Sequence, residues 1–169
     1  MSFSYRAGSR RDAETVDRLF RTSFMATFAH LYRPEDLDAF LSKFTPQAWE
    51  AELADDRFAF QLAEADGEPV GFVKLGPAEL PVERNGPAIE LRQFYLLHEW
   101  RGAGVAHALM KWTMEEARVR GAREVYLTVY TDNHRARRFY ERYGFQEVGP
   151  YKFMVGEQAD EDIIMRAQV

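Results

Sequence analysis

Arg101-Gly102-Ala103-Gly104 sets two glycines and a guanidinium between an apolar run and the start of a helical pattern. The first N–H groups of a helix have no partner inside it and carry the positive end of its dipole. Small residues there let an anion approach the backbone, and an adjacent arginine adds a charge-assisted hydrogen bond. The chemistry such a stretch can do is to hold a phosphate, and the diphosphate of a coenzyme fits it. A tight turn with structural glycines is the competing reading. Spacing disfavours two other nucleotide sites. No GxxxxGK[ST] loop is present. A dinucleotide fingerprint needs a third small residue where His107 stands, and needs its glycines directly after the strand, where His98-Glu99-Trp100 intervene.

Two elements must position this turn. Ile89 to Leu97 reads as the strand before it, and Val105 to Arg120 as the helix after it, with Ala106, Leu109, Met110, Thr113 and Ala117 on one face. The strand does not alternate cleanly. Ile89 and Leu91 share one parity, Phe94 and Leu96 the other. One extra residue produces such a shift, so a β-bulge is expected near Arg92-Gln93-Phe94. A bulge can splay the strand from its neighbour and leave main-chain groups free for a peptide-like ligand. A strand buried on both faces is the alternative.

The remaining pattern is mixed. Phe3 to Ala7 suggests a first strand. Ser9 and Asp12 precede a long helix through Phe28, and Pro34 and Pro46 can each start a short one. Phe58–Ala63 and Val70–Leu75 read as a hairpin, and Gly76–Pro87 as a loop. Glu124–Tyr130 reads as a strand, Asn133–Tyr143 as a helix, and Phe145–Phe153 and Asp162–Arg166 as the last strands. The expectation is an α+β fold, with one twisted, mostly antiparallel sheet flanked by helices, in a single domain over residues 1–169.

Composition narrows the function. The chain has 169 residues, 46% hydrophobic and 29% charged, and a net charge of -5, which disfavours a nucleic-acid partner. It has no cysteine, so thiolate metal sites and cysteine nucleophiles are excluded. No histidine spacing suggests a metal. The absence of a signal-peptide pattern or a long apolar run leads to the expectation of a cytoplasmic protein with no membrane partner.

Two motifs carry a resemblance. Arg101-Gly102-Ala103-Gly104-Val105-Ala106 matches the R/Q-x-x-G-x-G/A turn of the GCN5-related N-acetyltransferases. Asn133, Ala136, Phe139, Tyr140, Gly144 and Phe145 match N-x-x-A-x-x-F-Y-x-x-x-G-F of the same family. The second half of the chain, Ile89 to Val169, is similar to that family, with a weaker match before it. The one departure is Ala106, where glycine is commoner. The resemblance implies acetyl-coenzyme A as cosubstrate, held between the bulged strand and its parallel neighbour. Main-chain groups of Leu96 and Leu97 would pair with the pantetheine arm. The amides of Arg101, Gly102, Ala103, Gly104, Val105 and Ala106 would hold the pyrophosphate, and Asn133 would contact the arm or orient the helix.

It also implies a chemistry, acetyl transfer to a primary amine by direct attack in a ternary complex. An alkylamine has a pKa of about 10.4, so its proton must be removed first. Glu90 resembles the family's general base, acting directly or through water, with a salt bridge to Arg92 or a neighbouring strand as the alternative. Tyr140 would protonate the leaving sulfur, with a core tyrosine as the alternative. Glu157, Asp160, Glu161 and Asp162 near the last strand, and Glu35, Asp36 and Asp38 on the second helix, suggest a polyamine or another small cationic amine. They can equally be solvated loop and helix charges. The C-terminal pattern resembles the bacterial spermidine/spermine N-acetyltransferase-like branch. A protein or peptide acceptor, or a non-catalytic coenzyme-binding module, would keep the same coenzyme site. A homodimer through a sheet edge or the C-terminal strand is compatible with the pattern.

Overall fold

A computed structural model describes residues 1–169. Strands β1 (Phe3–Ala7), β2 (Ala59–Ala65), β3 (Glu68–Pro77), β4 (Ala88–Leu96), β5 (Glu124–Tyr130), β6 (Gln146–Val155) and β7 (Gln158–Gln168) form one sheet in the order β1-β2-β3-β4-β5-β7-β6. Only β4 and β5 run parallel. Helices α1 (Ala13–Phe28), α2 (Pro34–Leu41) and α3 (Pro46–Leu53) precede β2. Helix α4 (Val105–Val119) joins β4 to β5, and α5 (His134–Glu141) follows β5.

Each sheet face buries its own core. Val73, Leu75, Leu91 and Val125 meet Leu109, Met110 and Ala117 of α4 on one side. On the other, Phe72 and Leu62 meet Phe20, Phe24, Phe40 and Trp49 from α1, α2 and α3. Burying so many large side chains, at about 1.5–3 kcal/mol each, dominates the cohesion of both layers. The helices also start as their sequences dictate. Pro34 and Pro46 occupy first-turn positions, and the Thr45 hydroxyl accepts the Ala48 N–H at 3.1 Å.

The parity shift in β4 is a bulge. Lys74 opposes Gln93 and Leu75 opposes Leu91, so Arg92 is the extra residue. The pairing with β5 covers only Ala88–Glu90 against Glu124–Tyr126. Beyond those three rungs the strands part.

Most boundaries shift by one to three residues from those expected, and two differences bear on the site. Helix α5 ends at Glu141, because Gly144 turns the chain at φ +89°. Strand β7 begins four residues earlier than expected, at Gln158, because Gly156 closes a tight hairpin with β6 at φ +58°. The acidic run is therefore strand rather than loop. Asp160 and Asp162 are buried on one face, and Glu161 between them is exposed.

Candidate active site

Where β4 and β5 separate, a cleft of about 920 Å³ opens through the molecule. Its walls are Leu91–Leu96, Leu127–Tyr130 and the inner sides of α1, α4 and α5. The facing edges of the two strands have no partner strand here, so their main-chain groups are available to a ligand.

One end is built by the glycine turn. Gly102 at φ +81° and Gly104 at φ +87° are left-handed, and a Cβ on either would meet nothing within 4 Å. They are glycines for conformation and not for crowding. The backbone amides from Gly102 to His107 donate to no main-chain acceptor. Gly104 is the N-cap of α4, so these amides sit at the positive end of its dipole. Arg101 makes no ion pair, and burial and then Arg135 lower its pKa. Arg101, Arg135, Arg142 and His107 line this end. A cradle of free amides with arginines around it that make no ion pair fits a diphosphate.

Tyr140 stands in the middle. Its ring packs on Phe94, Phe139 and Phe145, with centroids 6.5, 5.6 and 5.8 Å away. Burial pushes its hydroxyl up to about 12, with no neighbouring charge or hydrogen bond contributing. It stays protonated at neutral pH and can donate to a sulfur. The Asn133 carboxamide accepts the Ala136 N–H at 3.3 Å, capping α5, while Asn133 also lines the cleft.

The far end is aromatic and acidic. Phe24, Phe28, Phe40, Tyr32 and Phe153 wall it, and Asp160 and Asp162 enter from β7. The Tyr32 hydroxyl donates to Asp160 Oδ2, and Gln158 Nε2 donates to Asp160 Oδ1 at 3.2 Å. Burial, and then Asp160, raise Asp162 to about 7.

Of the residues singled out in the sequence, Leu96, Arg101, Gly102, Gly104, Ala106, Asn133 and Tyr140 line one cleft. Ala103 and Val105 lie in the same turn but outside the lining, as does Leu97, whose N–H is taken by Val70 at 2.9 Å. Glu90 is not brought there. It sits on the last paired rung with β5, and its carboxylate accepts the Glu79 N–H at 3.1 Å. Arg92 is likewise tied to the Pro77 carbonyl at 2.7 Å and to Glu79 at 3.1 Å. Asp36 is also spoken for, accepting from Arg33 and from the Glu157 N–H. Tyr95 and Ser23 escaped the sequence reading. Both read as core, since Tyr95 lies in an apolar strand and Ser23 on a buried helix face.

Residues 18–145 match the profile of the acetyltransferase (GNAT) family. An uncharacterized N-acetyltransferase of Mycobacterium tuberculosis is 32% identical over 155 residues, 91% of this chain and 96% of the relative. The aminoalkylphosphonate N-acetyltransferase of Salmonella typhimurium is 30% identical over 138 residues, covering 81% and 84%. The crystal structure of the PaiA N-acetyltransferase from Thermoplasma acidophilum, in complex with coenzyme A, superposes with a TM-score of 0.80 at 24% identity over 100% of both chains. The cleft between parted parallel strands, the amide cradle and the family match agree: the chain belongs to the GNAT family of acetyltransferases and is an acyltransferase that uses acetyl-coenzyme A.

Proposed function

We propose that this enzyme transfers the acetyl group to a primary amine of a small cationic molecule, a polyamine being the leading acceptor, and that it works in the cytoplasm. The observation that carries the reading is the cleft's polarity. Free amides and arginines line one end; an aromatic chamber with two buried carboxylates forms the other. An alkylammonium chain is matched by carboxylates for its charge and aromatic faces for its methylenes. A phosphonate on the acceptor, as in the Salmonella relative's name, would meet Asp160 and Asp162 with no cation at that end.

Within this reading, the amides from Gly102 to Ala106 and Arg101 hold the pyrophosphate. The free edge of β4 up to Leu96 aligns the pantetheine arm, and Tyr140 protonates the sulfur as it leaves. The chain has no cysteine to carry an acetyl group, so attack is direct. The exposed edges of the sheet, β1 and β6, leave a homodimer open.

Thiol release from acetyl-coenzyme A is the test, measured with polyamines, amino acids and peptides. Polyamines should be the fastest acceptors. Turnover confined to peptides would replace the acceptor class, and coenzyme binding with no turnover on any amine would reduce the protein to a binding module.

A further inference from the structure

Asp162 is 8% exposed, yet it has no hydrogen-bond donor and no ion-pair partner, and it lines the cleft. A buried carboxylate without partners is costly, so one that persists at a cavity wall marks a place where a ligand supplies the missing charge. A second atom points to the same ligand. Ser23 is 6% exposed, and its hydroxyl has no partner although it lines the same chamber from α1.

The acceptor must lose a proton before it can attack, and Glu90 is not placed to take it. We propose that Asp162 is the proton acceptor of the reaction, with Asp160, fixed by Tyr32, as the anchor for the substrate's positive charge. The proposal rests on the amine reading above. The groups around Asp162 are consistent with it. Asp160 shares its strand face, Tyr130 of β5 and Tyr151 of β6 are its register neighbours, and Tyr95 of β4 and Tyr32 ahead of α2 lie within its electrostatic reach. Both Asp160 oxygens already accept hydrogen bonds, from Tyr32 and Gln158, and no lysine or arginine pins the Asp162 carboxylate in its ionised form.

The protons balance. One ammonium proton passes to Asp162 and then to solvent. The neutral nitrogen forms the C–N bond and the C–S bond breaks. The sulfur takes the Tyr140 proton, and the nitrogen's surplus proton restores the tyrosine. Amide, free thiol and one proton are the products. Burial and Asp160 keep Asp162 poised near neutrality, where a base of this kind is most effective.

The experiment is the pH dependence of kcat/KM for the parent, Asp162→Asn and Asp160→Asn, with a polyamine and with an electron-poor primary amine that is neutral at neutral pH. Coenzyme A thermal shifts serve as the folding control. Asp162→Asn should lose about 100-fold with the polyamine, and with it the rising limb near neutrality; the loss should shrink at least tenfold with the electron-poor amine. Asp160→Asn should raise KM for the polyamine and keep the limb but move it to lower pH, because the Asp160 charge helps hold Asp162 up. Equal losses on both amines, or an unchanged limb, overturn the proposal. Should Asp162→Asn not fold, carbon NMR of the parent aspartates decides. One carboxyl must titrate near neutrality and respond to polyamine, and its absence overturns the assignment. No thiol release with any amine would instead defeat the acetyl-transfer reading itself, whereas release indifferent to Asp162 defeats only this step.

Discussion

Tyr140 is held by three aromatic neighbours and raised by burial alone, so its chemistry follows from packing. Tyr140→Phe keeps the packing and removes the proton. It should lower kcat about 100-fold with little change in coenzyme A affinity, read by stopped-assay kinetics beside calorimetry. Glu90→Gln should change kcat/KM less than about threefold, because its carboxylate serves the Glu79 N–H outside the cleft. A loss as large as that of a general base would return Glu90 to the reaction. Tyr140 and Arg101 were legible in the sequence because each sits in a spaced motif. Asp162 was visible as the start of the last strand and as part of a charge run, and such runs are usually solvated. What separates Asp162 from Glu161 is strand alternation, which shows only once the strand's true length is known.

Among the elements, the bulge at Arg92 and the left-handed turn at Gly102–Gly104 shape the two ends of the proposed coenzyme site. Gly104→Ala should cost about 1 kcal/mol of stability by chemical denaturation, since φ +87° strains a residue with a Cβ. Gly104→Asp should abolish coenzyme A binding by placing a carboxylate in the amide cradle. The β6–β7 hairpin has a different constraint. A Cβ at Gly156 would lie 2.5 Å from Asp36 of α2, whose carboxylate also accepts the Glu157 N–H. Gly156→Ala should therefore push the hairpin off α2 and raise KM for the amine more than for acetyl-coenzyme A. The parity break announced the bulge from sequence alone. The hairpin's seat on α2 did not show, because it joins residues 121 apart and no local pattern encodes it.

Over the whole molecule, a net charge of -5 coexists with an arginine-lined end of the cleft. Coenzyme A affinity should therefore fall as salt rises, and fall less steeply in Arg135→Gln. The buried acid end carries a stability cost with a definite sign. Asp162 is raised from 3.8 unfolded to about 7 folded, so folding stability drops as pH climbs through that window and the full penalty holds above it. Asp162→Asn should accordingly raise the melting temperature above neutral pH and give no gain near pH 4, a pattern differential scanning calorimetry reads directly. The layered sheet was legible in the order of its elements, whereas the opposition of charge between the two ends of the cleft depends on how distant strands assemble.

The parted strands and the glycine turn are proposed to hold the coenzyme. A crystal structure of the acetyl-coenzyme A complex tests this most directly. The pyrophosphate should accept hydrogen bonds from amides between Gly102 and Ala106. The pantetheine arm should run along the free edge of β4 toward the Tyr140 hydroxyl. A coenzyme bound elsewhere, with those amides still free, would contradict the account.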